Sequence, residues 1–358
     1  FYGEKGGQVG DTGVITATDS SFDVQDTVCP VTDLIVQRGV VTKGVFKQGQ
    51  KISASIDAER RNAIRRNHTA THLLHEALVR TLGKHVRQAG SVVTPTFLRF
   101  DFNHFQPMTE EEIREVERIV TEQVLKCLPV TTTIMSLDEA KQSGAKALFE
   151  EKYGNEVRVI EAQGFSKELC GGTHVANAGN IGLVKIIREE GIGSGIRRIT
   201  AVTGFGALDL FQRMENAVGM LTTMLGGDMD SLMSRAEELL DEKKVLERKN
   251  RELQVKAAMS DIENSVRPRA TVDGVDLIAE RFDGITPDLL RQIGDRIRQK
   301  FPLSVMLLAG VGVEGRVSLT AMASDEAVKN GAHAGKMLQG VAAVLGGKGG
   351  GRPNLAQG

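Results

Sequence analysis

The sequence predicts an α+β protein in several parts: a small β-barrel-like unit leading into an α+β domain, a helical or coiled-coil spacer, and a C-terminal α/β domain with a βαββα pattern. Three observations carry that expectation. Val-, Ile- and Thr-rich runs broken by glycine dominate residues 1 to about 60. Leu232, Leu239, Leu246 and Leu253 recur every seven residues in a long stretch free of Gly and Pro. Strand-like and helix-like periodicities then alternate from Val275 onward. The resulting division is 1–205, 206–265 and 266–358, consistent with a chain of 358 residues, which is too long for one ordinary core.

Each element has its own signal. Thr12 to Thr16, Leu34 to Val41 and Lys51 to Ile56 read as strands. Ala63 to Leu82 has apolar residues at helical spacing and stops at Gly83. Thr109 and Glu112 form the two halves of a capping box for a helix reaching Leu128, with Ile113, Val116, Val120 and Val124 on one face. Gly206 to Leu225 is amphipathic and is broken by Gly226-Gly227-Asp228. From Ser231 to Ser265, leucine at one seam position alternates with Ala236, Lys243, Asn250 and Ala257 at the other, which describes a weak coiled coil or helical hairpin. Thr286-Pro287-Asp288 and Ser324-Asp325-Glu326 open the helices of the last domain, whose strands are Val275 to Arg281, Leu303 to Ala309 and Arg316 to Ala323.

Composition narrows the class of function. Hydrophobic residues make 41% and charged residues 25%, which is globular and excludes a disordered or collagen-like chain. The longest uncharged apolar run, Pro302 to Val313, is too short for a membrane helix. Three widely spaced cysteines argue against a disulfide scaffold and for a reducing, cytoplasmic setting. Cys29 and Cys127 read as small buried hydrophobes. The net charge of −1 excludes a polycation that coats nucleic acid, and scarce aromatics exclude a broad base-stacking platform. A start at Phe1 without Met suggests a piece of a longer protein.

Two short segments carry chemistry. His68 and His72 lie four apart on a helix, so both imidazoles leave one face and can share an ion. Cys170 and His174 follow a C-x-x-x-H spacing across Gly171-Gly172, which lets the backbone fold both side chains toward one point. Three imidazoles and a thiolate form a complete tetrahedral set for one Zn2+ ion. A shell closed by four protein ligands is usual for structural zinc; catalysis would require a displaceable ligand or an ion that positions substrate.

Phe1 to Gly13 with its Gly-Gly-Gln, Asn67-His68-Thr69-Ala70-Thr71-His72-Leu73-Leu74-His75, Cys170 to His174 and the closing Gly346 to Gly358 resemble, in order, the editing and C-terminal domains of the alanyl-tRNA synthetase family. The resemblance implies a zinc editing domain at 1–205 that hydrolyses Ser-tRNA(Ala) and Gly-tRNA(Ala), its ion held by His68, His72, Cys170 and His174. Gln8, Cys170 and His72 are then the catalytic candidates, and Gln8, Thr69, Thr71 and Thr173 the polar pocket that would tell serine from alanine. ATP and Mg2+ would serve only an aminoacylation domain outside this chain. Arg197 and Arg198, together with Lys348, Gly349, Gly350, Gly351 and Arg352, are expected to contact RNA: the acceptor end at the editing site and the outer corner of tRNA(Ala) at the C-terminal domain. The heptads imply a homodimer, and no membrane is involved. Two other readings compete: a free-standing alanyl-tRNA editing protein, and a non-catalytic module in which zinc staples a tRNA-binding, dimerising fold.

Overall fold

A computed structural model describes residues 1–31, 34–147, 155–311 and 317–358, for residues 258–264 in backbone only. The chain divides into two compact units, Phe1–Leu221 and Thr222–Gly358. Among the described residues no helix is long and apolar enough to cross a membrane.

The first unit begins with β1 (Gly13–Ala17), β2 (Ser20–Val31), β3 (Leu34–Lys43) and β4 (Ser53–Ile56), an antiparallel sheet of order β3-β2-β1-β4. No ladder joins β3 to β4 among the described residues, so the barrel-like closure expected from sequence is instead an open sheet. The sequence also hides β2, the longest of the four, because Asp23, Asp26 and Pro30 interrupt its apolar alternation; three register shifts break its pairing with β3.

Helix α1 (Ala58–Leu82) follows, capped by Asp57, whose side chain accepts the Arg60 N–H. It starts ahead of Ala63, where the apolar periodicity begins. Then come β5 (Gln88–Val93), β6 (Leu98–Asn103), α2 (Glu110–Leu125) with the expected Thr109–Glu112 capping box, β7 (Val130–Ser136), α3 (Leu137–Gln142), β8 (Glu156–Ala162), β9 (Ser166–Leu169), β10 (Val184–Gly193), β11 (Ile196–Thr203) and α4 (Gly204–Leu225). Two sheets result, β10-β11-β6-β5 and β7-β8-β9. Leu73, Leu74, Ala77 and Leu78 of α1 and Val116 and Val120 of α2 pack with Phe100, Phe102 and Ile199 of the first sheet into one core. The middle of α1 is enclosed on every side: Asn67 through His75 are all buried. Polar side chains in that stretch must therefore find partners inside the protein.

Cys127 departs from expectation. Helix α2 ends at Leu125, and Cys127 is exposed rather than buried, with φ +51°, a left-handed position beyond the helix end.

The second unit contains α5 (Leu232–Ser265), along which the seam leucines Leu239, Leu246 and Leu253 are 54%, 63% and 64% exposed, while Leu232 is half-buried. Beyond it lie β12 (Ala270–Val272), β13 (Val275–Asp283), α6 (Pro287–Lys300), β14 (Ser304–Val311), β15 (Val317–Ala323), α7 (Asp325–Lys329), α8 (Ala334–Val344), β16 (Gly350–Gly351) and β17 (Leu355–Gln357). The turn expected between β14 and β15, with Val313 and Arg316, lies outside the described residues. The sheet order is β12-β13-β14-β15-β17-β16, with β13 and β14 parallel. Leu290, Ile293 and Ile297 of α6 meet Met306 and Leu308 on one face, while Leu338 of α8 meets Leu319, Ala321 and Ala356 with Leu307 on the other. The glycine-rich end thus closes the sheet. Gly350 and Gly351 pair with Gln357 and Ala356, and a Cβ on Gly351 would sit 2.4 Å from the Ala356 Cα, so only glycine fits there.

Candidate metal centre

Helix α1 and the turn after β9 bring His68, His72, Cys170 and His174 together, with their candidate ligand atoms all within 4.8 Å of one another. The Cys170 Sγ lies 3.4 Å from His68 Nε2 and 3.3 Å from His174 Nε2. Zinc bond lengths near 2.0 Å to nitrogen and 2.3 Å to sulfur put neighbouring tetrahedral ligands about 3.5 Å apart, so these separations fit such an ion.

The outer nitrogens fit it as well. His68 Nδ1 is 2.7 Å from Gln8 Oε1, and His174 Nδ1 is 3.2 Å from Thr69 Oγ1. His72 Nδ1 is 2.6 Å from Glu168 Oε2, an ion-pair contact whose angle falls short of a hydrogen bond. The acceptor oxygens of Gln8 and Glu168 favour the tautomer of His68 and His72 that carries its proton on Nδ1, leaving their Nε2 lone pairs to face inward, while the Thr69 hydroxyl can take either role toward His174. Glu168 also takes His75 Nδ1 at 2.8 Å, so one buried carboxylate serves two imidazoles.

The turn that carries Cys170 and His174 is held by Arg158 of β8, which donates to the carbonyls of Gly172 and Cys170. A Cβ on Gly172 would lie 2.0 Å from His68 Cε1, so the turn seats against the ring only because that side chain is absent. Gln8 comes from the N-terminal loop, whose Gly7 carbonyl accepts the Val93 N–H and whose Val9 N–H donates to the Val93 carbonyl.

Electrostatics match the donor set. Burial would raise the Cys170 thiol, but the His68, His174 and His72 imidazoles hold it well below its ordinary value, which favours thiolate. Burial and the charge of His68 push His174 down to about 3, so it is a neutral donor. Burial alone would lower His72; Glu168 and Cys170 overcome it and lift it to about 10. An ion taking His72 as ligand displaces that proton.

A cavity of about 630 Å³ opens onto this cluster through His68 and Cys170, with Tyr2, Lys5 and Gly172 in its wall. The four polar candidates are not among the residues that line this cavity. Gln8 is fully buried, and its Oε1 accepts from His68, from the Thr173 N–H and from the Thr173 hydroxyl. Its Nε2 has no hydrogen-bond partner. The Thr69 hydroxyl, beside His174, accepts the Val175 N–H, and Thr71 donates to the Asn67 carbonyl one turn back along α1.

The RNA candidates lie elsewhere and are partly engaged. Arg197 and Arg198 on β11 form two-pronged pairs with Glu189 and Asp101 on the neighbouring strands. In the second unit, Arg352, Gly350 and Gly351 border a cleft of about 420 Å³ with Arg291, Asp295 and Arg298 of α6, Arg298 being paired with Asp295 at 3.2 Å. Lys348 is exposed beside it in sequence. Sequence reasoning missed the roles of Glu168, Arg158 and His75; a carboxylate two residues before Cys170 was the available signal for the first.

Three family models match: residues 1–60 match tRNA synthetases class II (A), 157–200 match the Threonyl and Alanyl tRNA synthetase second additional domain, and 274–358 match the DHHA1 domain. The whole chain is 44% identical to Alanine–tRNA ligase 1 of Lachnoclostridium phytofermentans over 357 residues. It is 40% identical to Alanine–tRNA ligase of Clostridioides difficile over 357 residues, and 44% identical to that of Xanthomonas campestris pv. campestris over 358. It spans about 40% of the length of each of these relatives. A solved structure, the C-Ala domain from Aquifex aeolicus alanyl-tRNA synthetase, matches at 26% identity with a TM-score of 0.23, covering 25% of this chain and 79% of that one.

Proposed function

We propose that this chain, similar along its whole length to alanine–tRNA ligases, is a zinc-dependent deacylase of Ser-tRNA(Ala) and Gly-tRNA(Ala) joined to a tRNA-binding and dimerising C-terminal part. One observation carries the reading: three imidazoles and a thiolate converge beside a cavity, and each imidazole has an oxygen at its outer nitrogen. A longer protein containing this chain would attach alanine to tRNA(Ala), with ATP and Mg2+ used at a separate class II site.

In this proposal His68, His72, Cys170 and His174 hold one zinc ion, which supplies positive charge beside the aminoacyl ester. Water adds to the ester carbonyl, and the 3′ oxygen of the terminal adenosine leaves with a proton. The cavity at His68 and Cys170 receives the aminoacyl-adenosine, and Gln8 is a positioning residue for His68. Serine and alanine differ by one hydroxyl, and a site with a buried donor to satisfy rejects the analogue that leaves it unpaired. Among the four candidates Gln8 Nε2 is the buried donor left without a partner, and it stands outside the cavity wall, whereas the Thr69, Thr71 and Thr173 hydroxyls are already engaged.

The proposed division remains 1–205 for editing, 206–265 for the spacer and 266–358 for tRNA binding. The exposed leucines of α5 suit pairing with a second copy, and the cleft at Arg291, Arg298 and Arg352 suits the RNA backbone at the outer corner. A cytoplasmic location accompanies this role.

The test uses the full chain with seryl-tRNA(Ala) and alanyl-tRNA(Ala), with and without a chelator, beside Cys170→Ala and His72→Ala. Serine release that chelation and either substitution abolish supports the proposal. The closed ligand set also favours a second reading, zinc as a staple. That reading requires normal tRNA binding with no ester hydrolysis.

A further inference from the structure

A second cavity, about 570 Å³, reaches the same cluster through His174. Its wall contains Asn62, Arg65 and Arg66 of α1 together with Thr132 and Asn180, and no acidic residue. Asn62, Arg65 and Arg66 are three and four apart, so one helix face presents them together.

Arg61, Arg80, Arg197 and Arg198 each pair with a carboxylate, whereas neither Arg65 nor Arg66 joins an ion pair among the described residues. The Nε atoms of Arg65 and Arg66 are buried with no hydrogen-bond partner. Arg65 has only a 3.4 Å contact to Asn62 Oδ1, and Arg66 lies 5.9 Å from the centre of the Phe205 ring. A guanidinium cannot shed its charge, so two of them bordering a cavity that holds no carboxylate suit an anion entering from outside the chain. Their planar forks suit phosphate oxygens, and the Asn and Thr side chains add neutral polar contacts.

We propose that this cavity binds a phosphodiester at the 3′ end of the RNA, next to the aminoacylated nucleoside. This rests on the deacylase reading, because that reaction puts a 3′-terminal adenosine at the ligand cluster and so brings its phosphate within reach of α1. The RNA contacts near the editing site then fall on Arg65 and Arg66, while Arg197 and Arg198 serve to pair strands.

The probe is a 5′-phosphorylated CpCpA trinucleotide, titrated into the full chain at several salt concentrations beside adenosine and inorganic phosphate. In the Arg65→Gln/Arg66→Gln variant, trinucleotide binding should weaken about tenfold, and its log K against log salt slope should flatten by about 0.7 for each phosphate that the arginines had neutralised. Adenosine binding should not move. Asn62→Asp changes an exposed residue and keeps both arginines; its carboxylate should compete with the phosphate and weaken the trinucleotide similarly. Unchanged affinity and slope in a folded double variant, or in Asn62→Asp if the double variant does not fold, would overturn the proposal. So would inorganic phosphate binding as tightly as the trinucleotide. No ester is cleaved in this assay, so the site can stand or fall separately from the deacylase activity.

Discussion

Gln8 Oε1 lies 2.7 Å from His68 Nδ1, joining the N-terminal loop to a ring on α1 that is 60 residues distant in sequence. The pairing sets which nitrogen of His68 is free for an ion. Removing the oxygen frees the ring to turn or change tautomer, and such outer partners typically contribute about 10–100-fold to metal affinity. Gln8→Ala should therefore weaken zinc binding by about that factor, read by competition with a chromophoric chelator. Gln8→Glu keeps an acceptor and should lose less; equal losses for the two variants would count against an orienting role.

Glu168 has the same task for two rings. Its oxygens lie 2.6 Å from His72 Nδ1 and 2.8 Å from His75 Nδ1, and burial would raise its pKa were it not for those imidazoles, which hold it well below the carboxylate range. Glu168→Gln should cost about 1–3 kcal/mol of stability, because a buried partner is left with an imperfect acceptor. Denaturant melts without metal measure that cost, and the chelator competition should show weaker zinc through His72. A His75→Phe variant that keeps the zinc affinity would place His75 in the packing alone.

How much of this was legible in the sequence depends on range. The juxtaposition of His68 with His72, and of Cys170 with His174, is encoded in spacings of four, which local geometry turns into proximity. The oxygens that hold the rings are set by tertiary packing: Gln8 and Thr69 reach their partners over 60 and 105 residues. Arg197 and Arg198 read as RNA contacts in one dimension, yet strand pairing sets them beside Glu189 and Asp101, a register that the sequence alone does not reveal. The glycine-rich end is ambiguous for a similar reason. Its glycines permit the close approach of β16 to β17, and only the partner strand shows that they use it.

Gly172 tests the fit of the turn against the helix. A methyl group there meets His68 Cε1 at 2.0 Å and Nδ1 at 2.3 Å, so either the ring or the turn must move. Gly172→Ala should destabilise the chain by about 1–3 kcal/mol, the usual cost of overpacking, and should abolish tight zinc binding. Gly171 has no atom within 4 Å of its would-be Cβ, so Gly171→Ala is the matched control and should keep the metal. Comparable zinc stoichiometry in the two variants would show that the close approach is dispensable.

Acid should loosen the loop that carries Gln8. Asp11 accepts the Tyr2 N–H at 2.6 Å and pairs with Arg61 of α1, fastening the loop on both sides of Gln8. Burial opposes charge on Asp11, but the hydrogen bonds from Arg61 and Tyr2 win and hold its pKa below the ordinary aspartate value. A carboxylate whose folded pKa is depressed stabilises fully above its unfolded value and loses that contribution as pH falls through the folded one. Asp11→Asn should therefore melt about 2–4 °C below the parent at neutral pH, with the gap closing only as the pH drops under about 4. Thermal melts of both proteins across that range measure it. A gap that persists unchanged in acid would mean that the charge of Asp11 is not what fastens the loop.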